Sequence, residues 1–158
     1  MQTPIPSKSE MTQAIPKAPL ILGLSGLIPF IWGALSHASP DVMTWGASWV
    51  GAGLLGVAVQ TTYGAVILSF MSGVLWGFAT KAQGVTATAC YVMSVLPALW
   101  VFYVISSGVD PKISYLMAGF AGLFILDAIF YQLGLTPRWW LHLRGLLTTI
   151  VLLCLSVS

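Results

Sequence analysis

The chain has 158 residues, of which 58% are hydrophobic and 6% are charged, and its formal net charge is +2. A soluble domain ordinarily carries about 25% charged residues, so this composition excludes a protein with a water-facing surface. The small, scattered positive charge gives no basis for nucleic-acid binding. We therefore predict a single all-α integral membrane domain whose first partner is the lipid bilayer.

The N-terminal residues 1–18 carry several prolines among Ser, Thr and Gln, a composition that predicts a disordered tail. The tail lacks the Arg-rich, amphipathic pattern of an organellar transit peptide. The apolar segment that follows has features of a secretory signal peptide, but Pro29 interrupts it and the rest of the chain is itself membrane-spanning. We interpret it as an uncleaved first helix, which indicates a bacterial inner-membrane protein.

Five apolar segments are long enough to cross a membrane, because a crossing needs about 20 residues. They lie at 19–36, 57–80, 85–107, 113–133 and 138–157. Residues 42–56, which contain Trp45 and Trp49, are predicted either to lie along the interface or to form a short sixth span.

The positions of the basic residues favour five spans over six, because Lys and Arg prefer cytoplasmic loops. Five spans with a cytoplasmic N-terminus place Lys112 alone outside. The other basic loop residues then stay inside: Lys8, Lys17, Lys81 and Arg138. Six spans nearly remove this bias, so we predict five spans and a cytoplasmic N-terminus.

A small-xxx-small pattern occurs at Gly73 and Gly77, where two glycines four residues apart let helix backbones approach closely. We expect these glycines to pack inside the bundle, with a homodimer interface as the alternative. Pro29 and Pro97 lie inside spans, where proline kinks a helix and frees a backbone carbonyl.

Asp127 is the one acid that this arrangement places within the hydrocarbon, where insertion scales assign a charged residue a cost of roughly 2.5–3.5 kcal/mol. Gly134 is a natural helix stop and Pro137 a natural first-turn residue, so the last two helices should form a tight antiparallel hairpin. Asp127 lies seven residues before Gly134. Arg144 lies seven residues after Pro137, and both side chains are therefore about 10 Å from the turn.

Equal depth on adjacent helices predicts an intramembrane ion pair between Asp127 and Arg144. Arginine suits this role because its planar guanidinium can hold a carboxylate bidentately. The alternative is a functional group at Asp127, such as a proton relay or a ligand site.

The remaining polar side chains give no set that is typical of catalysis. The chain lacks GxSxG, HExxH and Walker A motifs, and its Cys and His residues do not have metal-ligand spacing. His37, His142 and the cluster at 60–63 are interpreted as interfacial. The Trp139-Trp140 pair is expected at the headgroup level, where indoles anchor helix ends. We expect no enzyme activity, no cofactor and no metal.

Four phrases of the sequence together resemble one family. They are LSGLIPF at 24–30, YGAVILSF at 63–70 continuing to Gly73 and Trp76-Gly77, SVLPALW at 94–100, and PRWWLHLR at 137–144 followed by Leu147-Thr148. The family comprises small multi-pass proteins of proteobacteria and mitochondria and is known only as a domain of unknown function. The resemblance covers about residues 20–150, and it implies about five spans in a bacterial or mitochondrial inner membrane with no assigned activity.

The resemblance marks a set of motif positions in this chain. They are Pro29, Phe30, Tyr63, Ser69, Phe70, Gly73, Trp76, Gly77, Pro97, Pro137, Trp139, Arg144 and Thr148. Many relatives carry a basic residue or His where this chain has Leu75, and a Trp-Tyr pair where it has Trp139-Trp140. Both differences remove polar side chains, so the resemblance adds no mechanism at those positions.

Three functions are compatible with these features. The first is an accessory or assembly component of a larger membrane complex, with other membrane subunits or a second copy of the chain as partners. The alternative is a small transporter or channel that uses Asp127. A membrane enzyme acting on lipid or quinone has the least support.

Overall fold

The computed structural model describes residues 14–108 and 112–158, and within them the chain is all-α with no strand. The predicted disordered tail falls mostly on residues 1–13, which lie outside the described residues. The helices in the described part are α1 (Lys17–Ser25), α2 (Ile28–Ala38), α3 (Pro40–Trp49), α4 (Gly56–Ala79), α5 (Gly84–Ser106), α6 (Lys112–Gln132) and α7 (Trp140–Ser156).

The first pass through the bundle is a broken helix made of α1 and α2, which together run for 22 residues. Pro29 lies in the first turn of α2. Because proline has no N–H to donate to the carbonyl one turn earlier, the helix is interrupted at Gly26-Leu27. Pro97 behaves differently, since α5 continues as one helix on both sides of it.

The segment between α2 and α4 does not cross the bundle. α3 has 10 residues, a length of about 15 Å, and a 3-10 turn at Ala52–Leu54 follows it. The backbone N–H of Gly56, at the start of α4, donates a 2.8 Å hydrogen bond to the Ser36 hydroxyl near the end of α2. The segment therefore starts and ends at the same end of the bundle, which corresponds to the interfacial alternative for residues 42–56.

The other passes are single helices that pack around α4. α4, α5 and α6 are each long and apolar enough to cross a membrane, and α7 is a shorter apolar helix. α4 contacts α2, α5 and α6, and α7 packs against α6 and α2. Phe30 of α2 meets Phe120 of α6 edge to face, with ring centroids 5.7 Å apart, beside the fully buried Leu68 of α4. The helices therefore share one core.

The two ends of the bundle differ in charge. Lys81, in the α4–α5 turn, donates from Nζ to the backbone carbonyl of Leu135 in the α6–α7 turn at 3.1 Å. Arg138 lies in that same turn, and Lys17 begins α1, which packs against the first half of α7. Lys112 begins α6 at the opposite end. Among the described residues, one end thus carries three basic side chains and the other carries one.

Candidate functional site

The hairpin between α6 and α7 is closed by a helix-ending motif at Gly134. This glycine has a φ of +70°, a conformation that glycine adopts without strain. Its N–H bonds to the Tyr131 carbonyl and the Leu135 N–H bonds to the Phe130 carbonyl, which is the Schellman arrangement. Pro137 was expected in the first turn of the next helix, but it lies in the connecting turn and α7 begins only at Trp140.

The structure brings Asp127 and Arg144 together across this hairpin. Nε of Arg144 donates to Oδ2 of Asp127 at 2.8 Å. The Asp127 side chain has no exposed surface and the Arg144 side chain is 7% exposed. The contact is made through Nε alone and is therefore not bidentate.

The second carboxylate oxygen is bound by a residue that the sequence interpretation missed. The indole N–H of Trp140 donates to Oδ1 of Asp127 at 2.8 Å. Trp140 was expected at the headgroup level. Its ring packs edge to face on Phe78 of α4, with centroids 5.0 Å apart. The sequence does contain a signal for this contact, because Trp140 precedes Arg144 by four residues and therefore lies on the same face of the helix.

The three side chains form an electrically neutral unit inside the bundle. Both oxygens of Asp127 accept hydrogen bonds, one from a cation and one from a neutral indole. A carboxylate bound in this way is stabilised as a charged-group acceptor. It has no exposed oxygen with which to exchange a proton or bind an ion.

Arg144 retains unused hydrogen-bonding capacity. A guanidinium has five N–H donors, and within the described residues only Nε–H has a hydrogen-bond acceptor. Nη2 is buried without a partner in that part of the chain. Thr148, one helical turn further along α7, likewise has a buried hydroxyl with no partner among the described residues.

These two residues line an apolar cavity of about 560 Å³ between the α1–α2 pass, α4 and α7. Apolar residues form most of its wall. Tyr63 of α4 also lines it, with its ring against Phe30 at 5.3 Å between centroids. The cavity is therefore apolar with donor groups at Tyr63, Arg144 and Thr148.

Gln60 is a second buried polar side chain, and its burial was not predicted from the sequence. It was assigned to an interfacial cluster, but it is fully buried one turn inside α4. Its Nε2 donates to the carbonyl of Phe30 at 3.2 Å and to that of Cys154 at 3.0 Å. Gln60 therefore links α2, α4 and α7.

Five of the motif positions lie together on the outward face of α4, which we define as Ser69, Phe70, Gly73, Trp76 and Gly77. All five are exposed. No atom of the described residues comes within 4 Å of a Cβ placed at either glycine. The expectation that this small-xxx-small pattern packs inside the bundle is therefore wrong.

The remaining motif positions are dispersed over the fold. Pro29 and Phe30 begin α2 beside the core, and Pro97 is buried in α5. Pro137 and Trp139 lie in the α6–α7 turn. Leu75 is fully buried in the core, an environment that suits leucine. His37 and His142 are both exposed at the helix surface.

Comparison with known proteins places the chain in a family. Residues 15–158 match the family described as "Protein of unknown function (DUF3429)". The chain is also similar to Transmembrane protein 69 of Xenopus tropicalis, with 32% identity over 151 residues that cover 90% of this chain and 54% of that protein. The chain thus spans about half the length of that relative. No solved structure matches it. The chain is a multi-pass helical membrane protein, and it belongs to the DUF3429 family of unknown function.

Proposed function

We propose that the protein is a non-catalytic accessory component of a larger complex in the bacterial inner membrane, and that a partner subunit packs against the outward face of α4. The observation that carries this proposal is the exposure of Ser69, Gly73 and Gly77 along one line of the helix. Small residues at four-residue spacing allow close helix–helix approach within a membrane. Because no described residue approaches a Cβ placed at Gly73 or Gly77, this line of small residues suits a helix from another chain.

Aromatic side chains on either side of this line support the same proposal. Phe70 is 64% exposed and Trp76 is 49% exposed, with the Trp76 ring tilted against Tyr91 at 4.8 Å between centroids. Large rings beside a groove of small residues give a helix partner both a close backbone contact and flanking surface. In a bilayer, van der Waals packing of this kind drives helix association, because lipid chains are as apolar as leucine.

The state of Asp127 argues for an accessory role over transport. A transporter that used this carboxylate would need to expose it to water or substrate during its cycle. Asp127 has no exposed surface and both of its oxygens are hydrogen-bonded. The ion pair therefore supports a structural role for this charge.

The distribution of basic residues supports the proposed orientation. Lys17, Lys81 and Arg138 lie at one end of the bundle, whereas Lys112 lies at the other. Because Lys and Arg prefer the cytoplasmic side, the three-residue end should face the cytoplasm.

The proposal is tested by purification from native membranes in a mild detergent. Gly77→Leu fills the outward face of α4, whereas Ala121→Leu places the same side chain at an exposed site on α6. Overpacking a helix contact by about 1–3 kcal/mol should lower partner recovery at least fivefold for Gly77→Leu. Ala121→Leu should recover the partner as the unaltered protein does.

Two results would contradict the accessory role. The first is purification of the protein alone as a monomer from its native membrane. The second is a homodimer with no other subunit that dissociates in Gly77→Leu, which would assign the outward face of α4 to self-association.

A further inference from the structure

We propose that the cavity between the α1–α2 pass, α4 and α7 binds a neutral amphipathic molecule that carries a carbonyl oxygen on a long apolar chain. This inference does not rest on the accessory role, because the cavity and the two glycines of the outward face of α4 are separate.

The polar groups at the cavity are donors that lack acceptors. Nη2 of Arg144 and Oγ1 of Thr148 are buried with no hydrogen-bond partner in the described part of the chain. Both residues are 6% exposed and both line the cavity. Buried polar groups are ordinarily paired, so an unpaired couple on one helix turn indicates a missing acceptor. The Tyr63 hydroxyl adds a third donor to the same cavity.

The charge balance indicates that the missing acceptor is neutral. Asp127 already compensates the Arg144 cation at 2.8 Å. An anionic head group would therefore leave an uncompensated negative charge inside the bundle, which is unfavourable in an apolar environment. A carbonyl oxygen accepts two hydrogen bonds without adding charge.

The shape and opening of the cavity indicate a long apolar chain. Its volume of about 560 Å³ lies within the range of small-molecule sites. Its rim includes Leu22, which is 72% exposed at the surface of the α1–α2 pass. A chain could therefore enter from the bilayer and place its carbonyl near α7. Two membrane molecules have this chemistry: prenylated quinones and acyl esters of glycerol.

The test measures binding to the whole protein in dodecyl maltoside, a detergent whose head group has no carbonyl. The probe is a tritiated benzoquinone with two isoprene units, followed by scintillation proximity on immobilised protein. Dioleoylglycerol competes in a second arm, and the dimethoxybenzene with the same tail competes in a third. Oleate supplies an anionic head group in a fourth.

The matched variants are Thr148→Val and Thr149→Val. Thr149 is exposed, and its hydroxyl donates to the Gly145 carbonyl at 2.8 Å. Loss of one hydrogen bond should weaken carbonyl binding about three- to tenfold in Thr148→Val and in Tyr63→Phe. Thr149→Val should bind as the unaltered protein does. Because Thr148→Val removes an unpaired buried hydroxyl, its unliganded thermal stability should be unchanged or higher.

Each outcome decides the proposal. Saturable quinone binding that Thr148→Val weakens supports it, and effective competition by dioleoylglycerol would identify an ester lipid as the better occupant. The absence of saturable quinone binding would overturn it. Tighter binding of oleate, or equal competition by the dimethoxybenzene, would overturn the neutral carbonyl. If Thr148→Val, Tyr63→Phe and Thr149→Val all bind the quinone with equal affinity, the assignment of Thr148 and Tyr63 as donors would be wrong.

Discussion

Separating Asp127 from Arg144 should destabilise the bundle far more than removing both charges together. Arg144→Met leaves the Asp127 carboxylate fully buried with only the Trp140 indole as a donor. Breaking one side of a buried pair costs about 3–5 kcal/mol, because a buried charge is left without its partner. Asp127→Asn leaves the guanidinium uncompensated and should cost a similar amount.

The double variant Asp127→Asn/Arg144→Met should be more stable than either single variant. It contains no charge, and the asparagine carbonyl can still accept from Trp140. The remaining penalty is one unpaired amide donor, about 1–3 kcal/mol. Since the two single losses sum to about 6–10 kcal/mol, the coupling energy should be at least about 3 kcal/mol.

The measurement is reversible unfolding by dodecyl sulfate in mixed micelles, followed by circular dichroism. Arg138→Met is the matched control, because Arg138 is exposed in the turn of the same hairpin. This control should change the free energy of unfolding by no more than about 0.5 kcal/mol. The pairing is refuted if Arg144→Met unfolds like the control, or if the double variant loses the sum of the two single losses.

Two further predictions concern packing and buried polarity. Gln60→Leu should lose no more than about 1 kcal/mol of unfolding free energy, because membrane hydrogen bonds average about 0.6 kcal/mol each. In addition, Gln60 Oε1 has no partner in the described residues, so the substitution removes an unpaired polar atom. A loss above about 3 kcal/mol in the same unfolding assay would contradict this prediction. Gly119→Ala should cost about 1–3 kcal/mol, since its Cβ would lie 2.9 Å from Leu68 and from Trp100. Gly122→Ala is the control, because its Cβ would meet open space, and equal stability of the two variants would refute the clash.

The position of Asp127 beside Arg144 could be predicted because it depends on few quantities. The helix rise is fixed, and Gly134 ends α6 at a definite residue. Counting outward from the turn therefore gave similar depths for the two side chains. The later start of α7 did not disturb this result, because Arg144 still lies near the start of the helix.

The contacts of Trp140 and Gln60 within the bundle were not predicted, for a common reason. Aromatic and amide side chains near the predicted end of a span are ordinarily interfacial, and this expectation depends on where each helix begins. α4 begins at Gly56, so Gln60 is already one turn inside. Trp140 begins α7, but α4 covers it through Phe78. The residues that contact these two side chains, such as Phe78 at Trp140, are distant in sequence. The local sequence pattern therefore could not predict these contacts.

For a membrane helix such as α4, the sequence pattern does not predict which face packs inside the bundle. In a soluble helix the buried face is apolar and the other face is polar, so the pattern predicts which face of the helix packs against the core. In a bilayer both faces are apolar, and glycine suits either an internal contact or an external one. Gly64 packs against Phe30, Leu116 and Phe120, whereas Gly73 and Gly77 meet open space on the same helix. The small-xxx-small spacing therefore indicates close helix packing without identifying the chain that supplies the second helix. Only the neighbours already present decide this, and for Gly73 and Gly77 the described chain supplies none.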